Sequence, residues 1–170
     1  MKRGIVRGLK FHRLSKRDAR SLSQRLAALG EVGAAESAAV LEEGDVRLYW
    51  VGGLTVAEQG GLLFPVLDEA SNARLLSAMP SLVVDMGAVA RIADGADVMG
   101  PGVVSVRGEF SAGGLVVARD ERHGRAVAIC RALVDSGSLA PRGRGKVAET
   151  IHHPGDKVWR LAERLRELLT

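Results

Sequence analysis

The chain begins with a loosely alternating run, "IVRGLKFHRL", which predicts a strand. The period then changes. From Ser15 on, Ala19, Leu22, Leu26 and Leu29 recur at helical spacing while Lys16, Arg17 and Arg20 fall on another face, so an amphipathic helix is expected. Ser15 with Asp18 three residues later is close to a capping box, and Gly30 and Gly33 close the helix. "SAAVLEE", "DVRLYWVGG" and "LTVAEQGG" follow, separated by Gly-Asp and Gly-Gly, and predict a meander of three strands. "DEASNARLLSAM" predicts a second helix, which Pro80 ends.

After Pro80 the texture shifts to short β-rich runs. "SLVVD" predicts a buried strand and "MGAVARIADG" a short helix stopping at Gly95. "VVSVRGEF", "GLVVARDE", "RAVAICRALVD" and "KVAETIHH" are strands at regular spacing, the pattern of a small barrel or sandwich. "GDKVWRLAERLRELL" predicts a last amphipathic helix with Asp156 as N-cap and Val158, Leu161, Leu165 and Leu168 on one face. The boundary between the two textures is placed at Met79–Pro80.

Composition narrows the class. Of 170 residues 46% are hydrophobic and only 4% aromatic, so Val, Leu and Ala must fill a core. One cysteine, Cys130, excludes an internal disulfide and, inside an apolar run, reads as a small buried hydrophobe. No run approaches the roughly 20 apolar residues of a membrane span. The Arg-rich, acid-poor start also has the composition of a transit peptide, but it patterns as folded structure, so the expected compartment is the cytoplasm. Charge is uneven: residues 1–25 hold nine Lys/Arg and one acid, and the rest holds fifteen bases and nineteen acids. A basic end on a slightly acidic body is the footprint of a polyanion binder, or of a solvated Arg-rich helix.

Enzyme motifs are absent from the pattern. "GADVMGPG" precedes a predicted strand rather than a helix and lacks Lys-Ser/Thr, which argues against a phosphate loop or a dinucleotide fingerprint. His152 and His153 are neighbours in a strand and point to opposite faces, so no metal or other cofactor is expected. Asp85 ends a strand before a helix, the usual place of a capping residue.

The second half carries a resemblance. Asp85, Gly87 and Ala88, then Gly95-Ala96-Asp97 and Met99, then Pro101-Gly102-Val103, and a closing His152, Gly155, Asp156 and Trp159 together resemble the PUA domain, the RNA-binding module of pseudouridine synthases and archaeosine transglycosylases. At this length the whole chain resembles the malignant-T-cell-amplified-sequence family and its archaeal homologues, where a small domain precedes the PUA domain.

The resemblance implies an α+β fold: an N-terminal α/β domain over 1–79, then a PUA-type β pseudobarrel with a C-terminal helix over 80–170. It implies RNA binding without catalysis, in translation, with tRNA or small-subunit ribosomal RNA as partner. The small ribosomal subunit and an initiation-factor-like protein are further expected partners; the alternative is an accessory subunit of an RNA-modification enzyme. Carried onto this chain, the RNA-facing residues are Gly87, Ala88, Arg91, Gly95, Ala96, Asp97, Met99, Pro101 and Gly102. Arg142, Arg144 and Lys146 read as flanking phosphate contacts or a solvated loop, and Lys16, Arg17 and Arg20 as a secondary basic face.

Overall fold

Two different sheets organise the chain in the computed structural model, which describes residues 8–33 and 35–170. Lys2, Arg3 and Arg7 of the basic start, and the first residues of the expected strand, lie outside the described residues. The chain divides into two units, the first running through Leu75 and taking in Lys157–Thr170, the second spanning Leu76–Asp156.

In the first unit β1 (Leu9–Arg13), β2 (Ala38–Glu43), β3 (Val46–Val51), β4 (Leu54–Gln59) and β5 (Leu62–Pro65) form an antiparallel meander in chain order. Register explains its two buried faces. Val40, Tyr49 and Val56 align across β2–β4 on one face, and α1 (Lys16–Leu26) covers them with Ala19, Leu22 and Leu26. Leu41, Leu48, Ala57 and Phe64 align on the other and are also buried. α1 starts as expected: the Asp18 N–H donates to Ser15 Oγ at 3.1 Å. Arg25 and the Tyr49 hydroxyl both donate to Glu58 at 2.8 Å, tying α1 to the sheet. The chain's single asparagine, Asn72 on α2 (Glu69–Ala78), is fully buried; its amide accepts from the Thr55 N–H and donates to the Thr55 and Val66 carbonyls. The last helix, α4 (Lys157–Leu169), differs from expectation: its apolar face of Val158, Leu161 and Leu165 is buried within this unit, with β3 as its packing partner. An amphipathic pattern shows that a face is buried but not against which sheet.

The second unit holds β6 (Ser81–Val84), α3 (Met86–Ala93), β7 (Val98–Met99), β8 (Val103–Arg107), β9 (Leu115–Asp120), β10 (Ala126–Ala132) and β11 (Lys146–His152). The sheet order is β7-β11-β10-β9-β6-β8, with β6 and β9 parallel and the other pairs antiparallel. Its two edge strands, β7 and β8, are joined by only Gly100-Pro101-Gly102. So short a link forces the edges together, which curls the sheet into a pseudobarrel with this turn at its seam. Leu82, Val84, Val116, Ala118, Ala128 and Cys130 fill the interior, and α3 adds Ala88 and Ile92. Burial pushes the Cys130 thiol up to about 12, so it behaves as the small hydrophobe expected.

Candidate nucleic-acid interface

The glycine-rich stretch that separates α3 from β8 is the barrel seam, and its glycines are explained first by packing. A Cβ on Gly100 would sit 2.6 Å from the Gly143 carbonyl oxygen, and one on Gly102 would sit 2.8 Å from the Ala88 Cβ. Both glycines are buried. Gly95 follows α3 with φ +99°, and the His153 imidazole lies where its side chain would be, 2.8 Å from the Cβ position. The expectation that missing side chains at Gly95 and Gly102 admit an RNA backbone is therefore revised, because neighbouring protein groups take up that space. Gly87 is different: it is exposed, and its Cβ position meets only an Asp85 oxygen at 3.4 Å.

Beside the seam lies a groove of about 510 Å³ lined by Ala88, Arg91, Ile92, Ala96, Asp97, Met99, Pro101, Gly102 and Lys146. Eight of these nine residues are among those named from the sequence. The ninth, Ile92, was legible as the residue four positions after Ala88 on the same helical face. Arg91 is exposed and, among the described residues, forms no ion pair. Met99 is 46% exposed, one of two large apolar side chains so presented among the described residues. An apolar surface beside a free guanidinium suits a splayed base and its phosphate.

The acids at the rim are held in structural roles. Asp85 caps α3, accepting the Ala88 N–H at 2.8 Å, and pairs with Arg142. That amide and the Arg142 guanidinium hold the Asp85 carboxyl below the usual carboxylate range. Asp97 pairs with Lys146 at 2.9 Å and accepts the Thr150 N–H at 2.9 Å, and the two together hold its carboxyl low. Thr150 also donates to the Ala96 carbonyl at 2.8 Å, fixing that side of the groove to β11. Thr150 lies more than fifty residues from Ala96, and nothing local in the sequence marks it.

Arg142, named as a flanking phosphate contact, is the one non-glycine with positive φ (61°) among the described residues. Its N–H donates to the Val103 carbonyl at 2.8 Å and its Nη1 to the Pro101 carbonyl at 2.9 Å. The residue thus clasps the seam to α3 as well as presenting charge. Arg144 is exposed and outside the groove lining, while Lys146 lines it. Lys16, Arg17 and Arg20 are exposed on α1, in the first unit. Asp156, just before α4, accepts the His153 N–H at 3.0 Å, and its carboxylate lies 2.9 Å from buried His152 Nδ1. Among the described residues no group of three or more His, Cys, Asp or Glu is placed to hold a metal, and no helix is long and apolar enough to cross a membrane.

The model of the PUA domain matches residues 80–154, from the start of β6 through β11. An uncharacterized protein of Methanocaldococcus jannaschii is 33% identical over 88 residues, 50% of this chain and 54% of that protein, so the match spans about half the relative's length. Translation machinery-associated protein 20 of Saccharomyces cerevisiae is 29% identical over 128 residues, 69% of this chain and 67% of that one. The solved structure of a PUA domain from Aeropyrum pernix K1, a tartrate complex, superposes with a TM-score of 0.77 at 30% identity and covers 91% of each chain. With the barrel, the seam and a structural likeness over 91% of each chain in agreement, the chain belongs to the PUA-domain proteins, a family of RNA-binding modules.

Proposed function

We propose that this chain is a non-catalytic RNA-binding protein of the translation machinery, which holds tRNA or small-subunit ribosomal RNA in the groove between α3 and the barrel seam. The observation that carries the reading is the convergence of Arg91, Met99, Pro101 and Lys146 on one groove. Arg91 supplies a phosphate contact. The exposed Met99 offers a base-sized apolar face, and the α3–seam packing holds both in place. Similarity to a yeast protein named for the translation machinery supports the cellular setting. The rim chemistry supports the non-catalytic part: Asp85 and Asp97 are held low by structural partners, whereas acid–base catalysis needs a pKa moved towards the working pH.

The test is a salt titration of RNA binding. Arg91→Glu should weaken binding of bulk tRNA or small-subunit RNA about tenfold and lower the salt slope by about 1 while the melting temperature holds. Unchanged affinity would remove Arg91 from the site. Neutralising Lys16, Arg17 and Arg20 together should lower the slope by about 2 as α1 loses its phosphate contacts; an unaltered slope would leave that face a solubilising one. Co-purification with a modification enzyme in place of ribosomes and tRNA would favour the accessory-subunit alternative.

A further inference from the structure

We propose that the β9–β10 hairpin tip, residues 121–125, is a second phosphate-contacting element for the same RNA, acting through Arg122, His123 and Arg125. The inference rests on the RNA-binding reading and extends it to a part of the barrel outside the groove.

Charge is the first reason. Arg122, His123 and Arg125 are all exposed, and among the described residues none of them forms an ion pair. Opposing them are Glu121 in the tip and the Asp120 carboxylate, which is turned inward onto the tip's backbone amides. Elsewhere in this unit Arg131, Arg142 and Lys146 each have a carboxylate partner, while Arg91, Arg107 and Arg144 are exposed and, among the described residues, form no ion pair either. The hairpin sets Arg122, His123 and Arg125 within four successive residues, none of them in an ion pair among the described residues.

Rigidity is the second. Asp120 is 5% exposed, and its carboxylate accepts three backbone N–H groups, from Arg122 at 2.9 Å, His123 at 2.5 Å and Arg125 at 2.9 Å. Arg119 Nη1 also donates to the Gly124 carbonyl at 2.9 Å. The inside of the turn is thereby filled, and the basic side chains are left on its outer surface. A loop already ordered in this way loses less entropy on binding than a mobile one.

Placement is the third. Val84 at the end of β6 pairs with Asp120 on one side and Val103 on the other. The Glu121 N–H donates to the Val84 carbonyl at 3.0 Å, and the Asp85 N–H donates to the Gly102 carbonyl at 2.9 Å. The hairpin tip therefore starts at the same end of the sheet as the seam, about 10 Å away at two strand spacings. Charges along a nucleic-acid strand recur more closely than that, so one backbone reaches both. Guanidinium groups contact phosphate oxygens bidentately and without regard to base, so the hairpin adds affinity and fixes register while the groove discriminates.

The double variant Arg122→Gln/Arg125→Gln in the full chain removes two cations and leaves Asp120 with its amide bonds. Titrated with fluorescent bulk tRNA and with small-subunit RNA fragments, it should melt as the unaltered chain does. It should also bind about tenfold more weakly near 0.1 M salt, with a slope lower by about 1.5. The companion Arg122→Lys/Arg125→Lys keeps the charge and should keep the slope, which separates lost contact from any loss of fold in the glutamine variant. If the glutamine variant keeps wild-type affinity and slope while Arg91→Glu is weakened, the hairpin assignment is overturned and the groove stands. A slope lost equally in the lysine variant would also overturn it. No salt-dependent binding by the unaltered chain would overturn both.

Discussion

Gly100→Ala is expected to destabilise the chain by about 3 kcal/mol, at the upper end of what overpacking costs. The added methyl would lie 2.6 Å from the Gly143 carbonyl oxygen and 2.8 Å from its carbon, and backbone cannot step aside as a flexible side chain can. Either the seam opens or the loop bearing Arg142 and Arg144 moves, so RNA binding should fall with stability. Gly87→Ala is the matched control. That residue is exposed at the start of α3, and alanine is the better helix former, so stability should hold or rise by up to about 1 kcal/mol. Denaturant midpoints for the two variants check both expectations. Equal midpoints would contradict the seam packing. If Gly87→Ala binds RNA more weakly at full stability, that glycine is where a backbone closely approaches.

The second large effect concerns Asp120. Asp120→Ala removes the acceptor of three backbone N–H groups and is expected to cost about 3 kcal/mol, since bonds to a charged acceptor are the stronger kind. The His123 amide, followed by those of Arg125 and Arg122, holds this carboxyl below its ordinary value of 3.8. Asp85 and Asp97 are lowered as well. A carboxyl with a lower pKa in the folded than in the unfolded state stabilises the fold at any pH above the unfolded value. That stabilisation is lost as pH falls through the folded value. The melting temperature should therefore hold from neutral pH to about 5 and then drop, and the drop should be shallower in Asp120→Ala. Parallel acid profiles would show that Asp120 is not among the carboxyls responsible.

How much of this was legible beforehand depended on whether the signal was local. The start and buried face of α1 were readable, because its cap and its apolar stripe of Ala19, Leu22 and Leu26 lie within one stretch; its end was not, since the helix stops at Leu26 and Ala27–Leu29 tighten into a 3-10 turn. The strands of both sheets were readable from alternation or from short β-branched runs. β5 was not: "LLFP" has no alternation, and the strand is set by pairing with β4. β7 is only two residues long and exists because β11 offers it an edge. In the site, sequence showed that Gly95, Gly100 and Gly102 needed no side chain. It did not show whether the vacated space faced a ligand or the protein's own chain, because Gly143, Ala88 and His153 are distant in sequence or of no evident relevance to the turn. Seven groove residues, Ala88 through Gly102, were named because family motifs put them in one stretch, while Lys146 came from the separate basic run after Pro141. The clasp from Arg142 to Asp85 spans fifty-seven residues and no pattern announces it.

The central claim is that RNA is held on the face formed by α3 and the barrel seam. Ultraviolet crosslinking in the native host, with sequencing of the bound RNA and mapping of the crosslinked peptides, tests it most directly. Enrichment of tRNA or small-subunit ribosomal RNA is predicted, with crosslinks in the peptides spanning residues 87–102 and 142–146. No enriched RNA, or crosslinks confined to other parts of the chain, would contradict it.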